Sequence, residues 1–458
     1  MDLDPVLLSR IQFAFVISFH IIFPAFTIGL AAWLAVLEAA HLGSGRAIYR
    51  RVFDFWMKVF AVSFGMGVVT GIVMAFQFGT NWGVLAERMG SIQGPLLGYE
   101  AFTAFMLEAS FFGVMLLGRE RVSPRFYLFA CCMVSLGTMF SSFWIMANNS
   151  WMQVPLGHAI EAGRIVPADW WAIVAGPVML VRWPHMLLAA FLTTGMCIVA
   201  TGAWYLLRGV HRDEGRLMLH WGLGLVALLI PVQLFVGHLA GDVVHRHQPA
   251  KFAAIEARWH AEQPAAEVLI GWPDEANERN LFAITVPRLG SFIASGTWDS
   301  REVGLTDFAK EDRPPVLIPF FAFRLMVGMG LLMLAISWFG LWLRWRGRLE
   351  HARWFLWCGF LSFPSGFVAV LSGWFTAEVG RQPWVVYGLL RTADAVTPSL
   401  RGIDVLVSLL GYVGVYTVLV GFGVRYIYKL LQRGPAAPLP LPPGATPQRP
   451  MAIATSRD

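Results

Sequence analysis

Residues 13–34 read FAFVISFHIIFPAFTIGLAAWL, and their one ionisable side chain is His20. An α-helix needs about 20 apolar residues to cross a bilayer, so this stretch is read as a transmembrane helix carrying an imidazole. Residues 95–118, PLLGYEAFTAFMLEASFFGVMLLG, read the same way and carry Glu100 and Glu108. Residues 181–188, VRWPHMLL, bring His185 to the start of a further apolar segment. Ionisable groups are expensive in hydrocarbon, so they turn inward and usually mark function. Imidazoles and carboxylates are also metal ligands and proton carriers. The three segments therefore point to buried chemistry inside a membrane.

Composition agrees. The chain is 57% hydrophobic and 14% charged, against about 25% charged in soluble domains, and its mean hydropathy is +0.59. The expected fold is an all-α polytopic membrane protein of about nine transmembrane helices. These are placed near 12–38, 53–78, 95–118, 126–147, 184–207, 219–240, 318–343, 354–375 and 404–430. The first run is too long for a signal peptide core and is expected to remain as a span. Cys131, Cys132, Cys197 and Cys358 form no CxxC or CxxCH, which argues against a zinc site, a c-type haem attachment or a disulfide framework. The net charge of +6 comes from arginine-rich connections; no nucleic-acid motif, phosphate loop, nucleophile elbow or HExxH occurs.

Orientation follows from those arginines. One set of connections holds Arg46, Arg50, Arg51, Arg119, Arg121, Arg125, Arg208, Arg212, Arg216, Arg344, Arg346, Arg348 and Arg353. Apart from the long loop, the other set holds Arg10, Arg88, Arg164, Arg182, Arg381, Arg391 and Arg401. The bias predicts a periplasmic N-terminus and a cytoplasmic C-terminus. The chain then divides into helices 1–6 over 1–240, an external loop over 241–317, helices 7–9 over 318–433, and a Pro/Ala-rich cytoplasmic tail over 434–458, expected to be disordered. With this orientation His20, Glu100, His185, Met326 and Glu378 all fall in the outer half of the membrane. Glu108 lies deeper, near the depth of Ser141 and Ser142.

Each residue has a plain structural reading beside the functional one. His20 suits a helix–helix hydrogen bond or an iron ligand. His185 follows Pro184, which suits a first helical turn, and reads as an interfacial histidine or a ligand. Met326 alone is a common gap-filler, but one His and one Met make the six-coordinate haem of electron-transfer proteins. Glu100 and Glu108, eight apart, fall about 80° apart on an ideal helix and share a broad face without stacking. Glu378 suits an interfacial pair with Arg381. Arg10, Arg324 and Arg381 suit interfacial anchors or partners of haem propionates. Lys251 and Glu256 suit a helical ion pair.

At this point longer motifs carry a resemblance: LSRIQFAF (8–15), FQFGTNW (76–82), WMQVP (151–155), QPAKFAAIEARW (248–259), FAFRLMVGMG (321–330) and GWFTAEVGRQPW (373–384). The chain resembles subunit I of cytochrome bd-type quinol oxidases from about residue 5 to 430. The resemblance implies a bacterial inner-membrane enzyme that oxidises quinol and reduces dioxygen to water, separating charge without pumping protons. It implies a low-spin haem b on His185 and Met326, and a high-spin pair held at His20 and Glu378, with Glu100 beside it. That pair would be a haem b with a haem d, or with a further haem b. It places Trp374 between haems and Arg10, Arg324 and Arg381 at propionates. It places Lys251 and Glu256 at quinol oxidation, and Glu108 with Ser141 on an inward proton path. A second membrane subunit and a small single-span subunit are the implied partners. The short external loop resembles the branch that includes cyanide-insensitive oxidases.

Two other classes use similar residues. A proton-coupled transporter buries Glu and His, but at the midplane of repeated halves, and no repeat is visible here. A quinone-linked haem subunit without oxygen chemistry needs the His185/Met326 pair but not His20, Glu100 and Glu378.

Overall fold

Asp4 starts the first helix. Its carboxylate accepts from the Val6 N–H at 2.9 Å, and Pro5 occupies the first helical position, where its missing N–H costs nothing. The resulting helix α1, Pro5–Ser44, ends on Gly45 in a left-handed conformation. The structure, a computed structural model, describes residues 3–435. The expected all-α membrane fold is what it shows. Among the described residues nine helical stretches are long and apolar enough to cross a membrane. The residues of the tail from 436 on lie outside those described.

The helices follow in order as α2 (Ala47–Thr80), α3 (Gly83–Tyr99), α4 (Met106–Leu117), α5 (Pro124–Gln153), α6 (Trp170–Val174), α7 (Pro177–Arg208) and α8 (Arg212–His247). Then come α9 (Pro249–Ile255), α10 (Leu289–Ser295), α11 (Leu317–Trp345), α12 (Arg353–Leu361), α13 (Ser365–Val379) and α14 (Gly402–Arg433). A π-helical turn, Glu100–Phe105, joins α3 to α4 within one span. A short break before Ser365 divides the eighth span into α12 and α13, and Pro364 at the break lacks the N–H a continuous helix needs there. Hairpins β1 (His158–Glu161) with β2 (Arg164–Pro167), β3 (Glu267–Asp274) with β4 (Arg279–Val286), and β5 (Trp384–Val386) with β6 (Leu390–Arg391) lie between spans.

The observed helices begin before the expected spans, and all but the third run past their ends. The consequence is largest for His185, which does not open its helix. Eight residues of α7 precede it, and Pro184 is inside the helix, so it sits about 12 Å along α7 at 1.5 Å per residue. Helix α8 likewise continues to His247, so the irregular part of the loop begins at Gln248.

Helices α7 and α8 form the most extensive packed pair. A Cβ on Gly202 would lie 2.7 Å from the Gly215 carbonyl oxygen, so glycine lets the two backbones touch, as small residues do between membrane helices. Near one end of the bundle Trp56, Phe53, Phe60, Leu34 and Leu37 form an apolar core. Beside it Arg119 grips buried Glu38 with two hydrogen bonds of 3.2 and 2.5 Å and lies over the rings of Phe53 and Tyr127. Phe102, Leu180, Leu228 and Phe422 point outward, as lipid-facing residues do.

The loop is ordered. Within it Pro249–Ile255 forms α9, and Ala250 to Ile255 are all buried. Ala253, Ala257, Trp259, Leu305, Val316 and Phe320 make its own small core against the top of α11.

Candidate functional site

A cavity of about 1440 Å³ runs through the bundle to the loop. Single small-molecule pockets are usually about 300–1,000 Å³, so this one has room for more than one bound group. His20, Glu100, Glu108, Ser141, His185, Met326, Trp374, Glu378, Arg10, Arg381, Lys251 and Glu256 all line it. Of the expected site residues only Arg324 stands outside the wall.

His20 comes from the middle of α1. Pro24, one turn later, withholds the N–H that the His20 carbonyl would otherwise receive. Nδ1 of His20 meets the Thr70 hydroxyl of α2 at 3.0 Å. The helix–helix bond read from the sequence is therefore present, and it fixes the ring through one nitrogen, as second-shell bonds do for ligating histidines. Nε2 is left for a ligand. A Cβ on Gly71 would lie 3.1 Å from His20 Cε1, so glycine there keeps a side chain off the ring.

The same device recurs twice. A Cβ on Gly237 of α8 would lie 3.2 Å from His185 Nε2, and one on Gly373 of α13 would lie 2.8 Å from Met326 Sδ. All three donor side chains thus have a glycine opposite them, on a different helix in each case.

Glu100 and Glu108 depend on the π-helical turn between them. Such a turn adds one residue to the helix, so eight residues carry the phase of seven and the two carboxylates fall about 20° apart rather than 80°. The structure agrees, because both face one stripe of α5. Ser141 donates to Glu100 Oε1 at 2.8 Å, and a Cβ on Gly137, one turn away, would lie 2.6 Å from Glu108 Cγ. Ser142 turns elsewhere and accepts from the Trp183 indole at 3.1 Å. Among the described residues Glu108 Oε1 has no hydrogen-bond partner although it is buried.

Glu378, at the end of α13, is held on every side. Asn149 and Gln153 each donate to Oε1 at 3.1 Å, and Arg182 does so at 3.3 Å. Arg381 donates to Oε2, so the expected Glu378–Arg381 pair forms. Nη1 of Arg182 and Nε and Nη1 of Arg381 are buried with no partner among the described residues. Arg182 also lies 5.6 Å over the Trp374 ring. Burial with two arginines is costly for a further cation. Lys251, which donates to Gln153 and Gln248 at 3.0 and 3.2 Å, has its ammonium pushed well below the usual lysine range by burial and by Arg182.

Lys251 and Glu256 do not form an ion pair with each other. Glu256 turns to Arg324 Nη2 at 3.4 Å, and Glu267 of β3 meets the same nitrogen at 3.2 Å. Nε and Nη1 of Arg324 bond the carbonyls of Val268, Leu269 and Ile255, with Nε at 3.0 Å from Val268 and Nη1 at 2.8 Å from Ile255. Arg324 is thus the clasp between α11 and the loop. Burial and the neighbouring Glu256 push the Glu267 carboxyl up to about 9.

The residues fit porphyrin-type groups better than a bare ion. Among the described residues no three His, Cys, Asp or Glu side chains converge on one point. Donors presented singly, opposite glycines, suit a prosthetic group that brings its own four equatorial ligands. The spare N–H groups of Arg182 and Arg381 suit its carboxylates.

Sequence reasoning missed Thr70, Asn149, Gln153 and the role of Arg182. In sequence Arg182 falls among the connection charges, though its place three residues before His185 on one helix is a usable signal. Gln153 stood in the quoted motif WMQVP. Thr70 carries no sequence signal of its own.

Comparison with known proteins now adds the lineage. The family model for cytochrome bd terminal oxidase subunit I matches residues 8–435. The chain is 34% identical to the cytochrome bd ubiquinol oxidase subunit 1 of Bacillus subtilis (strain 168), with 94% of each chain covered. It is 31% identical to the cytochrome bd-II ubiquinol oxidase subunit 1 of Escherichia coli (strain K12), over 95% of this chain and 98% of that one. Its fold matches the bd oxidase structure from Geobacillus thermodenitrificans at a TM-score of 0.87 and 26% identity, covering 95% of this chain and all of the other. Nine apolar helices among the described residues, the expected motifs and these matches lead to one conclusion: the chain belongs to the cytochrome bd terminal oxidase subunit I family.

Proposed function

We propose that this chain is the haem-bearing subunit of a terminal oxidase that takes electrons from membrane quinol and delivers them to dioxygen. One observation carries the reading. A single cavity joins the donors His20, His185, Met326 and Glu378 to the loop residues Lys251 and Glu256. The relatives named as ubiquinol oxidases support the substrate.

His185 and Met326 would hold a low-spin haem b. His20 would hold one high-spin haem, and Glu378 the other, with Glu100 beside the pair; one of the two is haem d or a further haem b. When bound, these groups supply one-electron transfer and the iron at which dioxygen is reduced. Arg381 would grip propionates with its spare N–H groups, and so would Arg182; Arg10 would do so from the rim. Trp374 would fill the space between haems. Arg324 would hold the loop against α11 through Ile255, Val268 and Glu267, and the resemblance alone assigns it a propionate.

The chain's own residues handle the protons. In this reading quinol rests against Lys251 and Glu256, and its protons leave on the loop side, which the arginine bias places outside the cell. Protons for water enter from the cytoplasmic side, where Glu108 hands them on through Glu100 and the Ser141 hydroxyl. Charge is then separated by geometry alone, with no pump. The loop serves as the external quinol-binding domain between helices 1–6 and helices 7–9. A subunit II and a small single-span subunit complete the oxidase in the bacterial inner membrane.

Reduced-minus-oxidised spectra of the purified complex, with and without carbon monoxide, test the reading. The expected result is a low-spin haem and a carbon monoxide-reactive high-spin species, with quinol-driven oxygen uptake. A low-spin haem alone would favour a quinone-linked electron-transfer subunit, and no haem at all would favour a transporter. A far-red chlorin band decides haem d.

A further inference from the structure

One half-buried pair beside the loop has no part in the mechanism so far. His245 lies near the end of α8 and lines the cavity. Its Nε2 is 2.8 Å from Glu302 Oε2. Glu302 is only 2% exposed, accepts from the Ser300 hydroxyl at 2.7 Å through Oε1, and is pinned by backbone bonds to Glu262 of 2.9 and 3.1 Å. The His245 side chain keeps 26% of its surface. A carboxylate acceptor fixes which ring nitrogen carries the proton. Here Nε2 carries it, and the lone pair of Nδ1 remains available.

Position gives this dyad a partner. The His245 ring packs edge-on against Phe252 at 4.8 Å. Phe252 lines the cavity from α9 and stands one turn before Glu256, which lines it too. One aromatic ring therefore separates two proton acceptors on the same wall. Of the nearby charges three are engaged, while the buried guanidinium of Arg258 has no hydrogen-bond partner among the described residues. Asp242 and Arg246 on α8 pair with each other at 2.9 Å. Lys251 of α9 is held by Gln153 and Gln248. Arg258 stands 6.0 Å from the centre of the Phe252 ring.

We propose that His245, oriented by Glu302, is the second proton acceptor in quinol oxidation. The inference rests on the quinol reading above. Oxidising a quinol breaks two O–H bonds on opposite sides of the ring and releases two electrons, with dioxygen as their final acceptor. One proton goes to the Glu256 carboxylate and the other to Nδ1 of His245. The Glu302 carboxylate then faces the imidazolium and stabilises it. His245 is the catalytic residue of the pair, and Glu302 is the positioning residue.

The test uses the complete oxidase in membranes. Oxygen uptake is measured across pH with quinol, and again with tetramethyl-p-phenylenediamine kept reduced by ascorbate, a donor with no hydroxyl to deprotonate. A positioned base contributes roughly 100- to 10,000-fold, and a second acceptor lies at the low end of that range. His245→Gln is therefore expected to lower quinol-driven kcat by about 100-fold and to flatten the fall in rate on the acid side. The diamine-driven rate and the haem spectrum should match wild type. Glu302→Gln should lower quinol-driven kcat by about tenfold, and Glu302→Asp should restore most of it. Wild-type quinol kinetics and pH profile in His245→Gln overturn the proposal. If that variant loses haem, Glu302→Gln decides: full haem with an undiminished quinol rate overturns it equally. A wild-type oxidase that uses the diamine but no quinol would overturn the quinol reading instead.

Discussion

Two ends of one cavity treat a carboxylate in opposite ways. At Glu378 four side chains, Asn149, Gln153, Arg182 and Arg381, converge on the two oxygens. At Glu108 one oxygen has no partner among the described residues, and its neighbour Glu100 has the single hydroxyl of Ser141. A buried carboxylate fixed by charged donors is a rigid electrostatic element, because breaking any one contact strands a charge. A carboxylate with few partners is free to take and give a proton. The crowded end is suited to holding something still, and the sparse end to passing something on.

Substitutions at the donors should have the largest effect. His185→Ala and Met326→Ala are each expected to abolish the low-spin haem band and quinol-driven oxygen uptake. An unchanged low-spin spectrum in either would remove that residue from the ligand set. Next comes the crowded end. Removing one partner of a buried ion pair costs about 3–5 kcal/mol, so Arg381→Ala should lower the amount of assembled oxidase and its thermal stability. An unaltered melting profile would mean that Glu378 is held well enough by Arg182 and the two amides.

The sparse end should respond differently. Glu108→Gln keeps the shape of the side chain but cannot carry a proton. It should slow oxygen uptake by roughly 10- to 100-fold while haem content and melting stay near wild type. Normal turnover would take Glu108 off the proton path, and loss of haem would make the two ends alike. The smallest effect is expected at the loop clasp. Folded Glu267 titrates at about 9 against 4.5 for a free side chain. The folded loop therefore keeps a proton that the unfolded loop has released. Its contribution to stability is full below 4.5 and is lost as pH rises towards 9. Glu267→Gln should remove that slope, so limited proteolysis of the loop at pH 9 should slow a few-fold. Equal cleavage at pH 6 and pH 9 in the wild type would break the assignment.

Much of the fold was legible because the bilayer imposes a simple code. Any helix crossing hydrocarbon needs a long apolar run, whatever packs against it. His20, Glu100 and Glu108 were visible for the same reason, as exceptions to that code. Met326 gained weight only beside His185, since a lone methionine in an apolar run signals nothing and one His with one Met suits a six-coordinate haem. The loop was harder. Lys251 and Glu256 suit a helical ion pair in sequence, and they part only when Gln153, Gln248 and Arg324 are placed around them.

Sequence alone was enough to mark a multi-pass membrane protein, with nine apolar helices among the described residues, that carries ionisable residues hydrocarbon would reject. The tertiary structure decided which of those residues meet. Three glycines on three helices face the donors His20, His185 and Met326, and a π-helical turn brings Glu100 and Glu108 onto one face. Arg324 is turned away from the cavity to hold the loop. None of these is written in local pattern. The π-helical turn is a departure from α-helical phase within one span. The glycine contacts and the Arg324 clasp depend on the distance and phase between elements far apart in sequence, set only when the bundle packs.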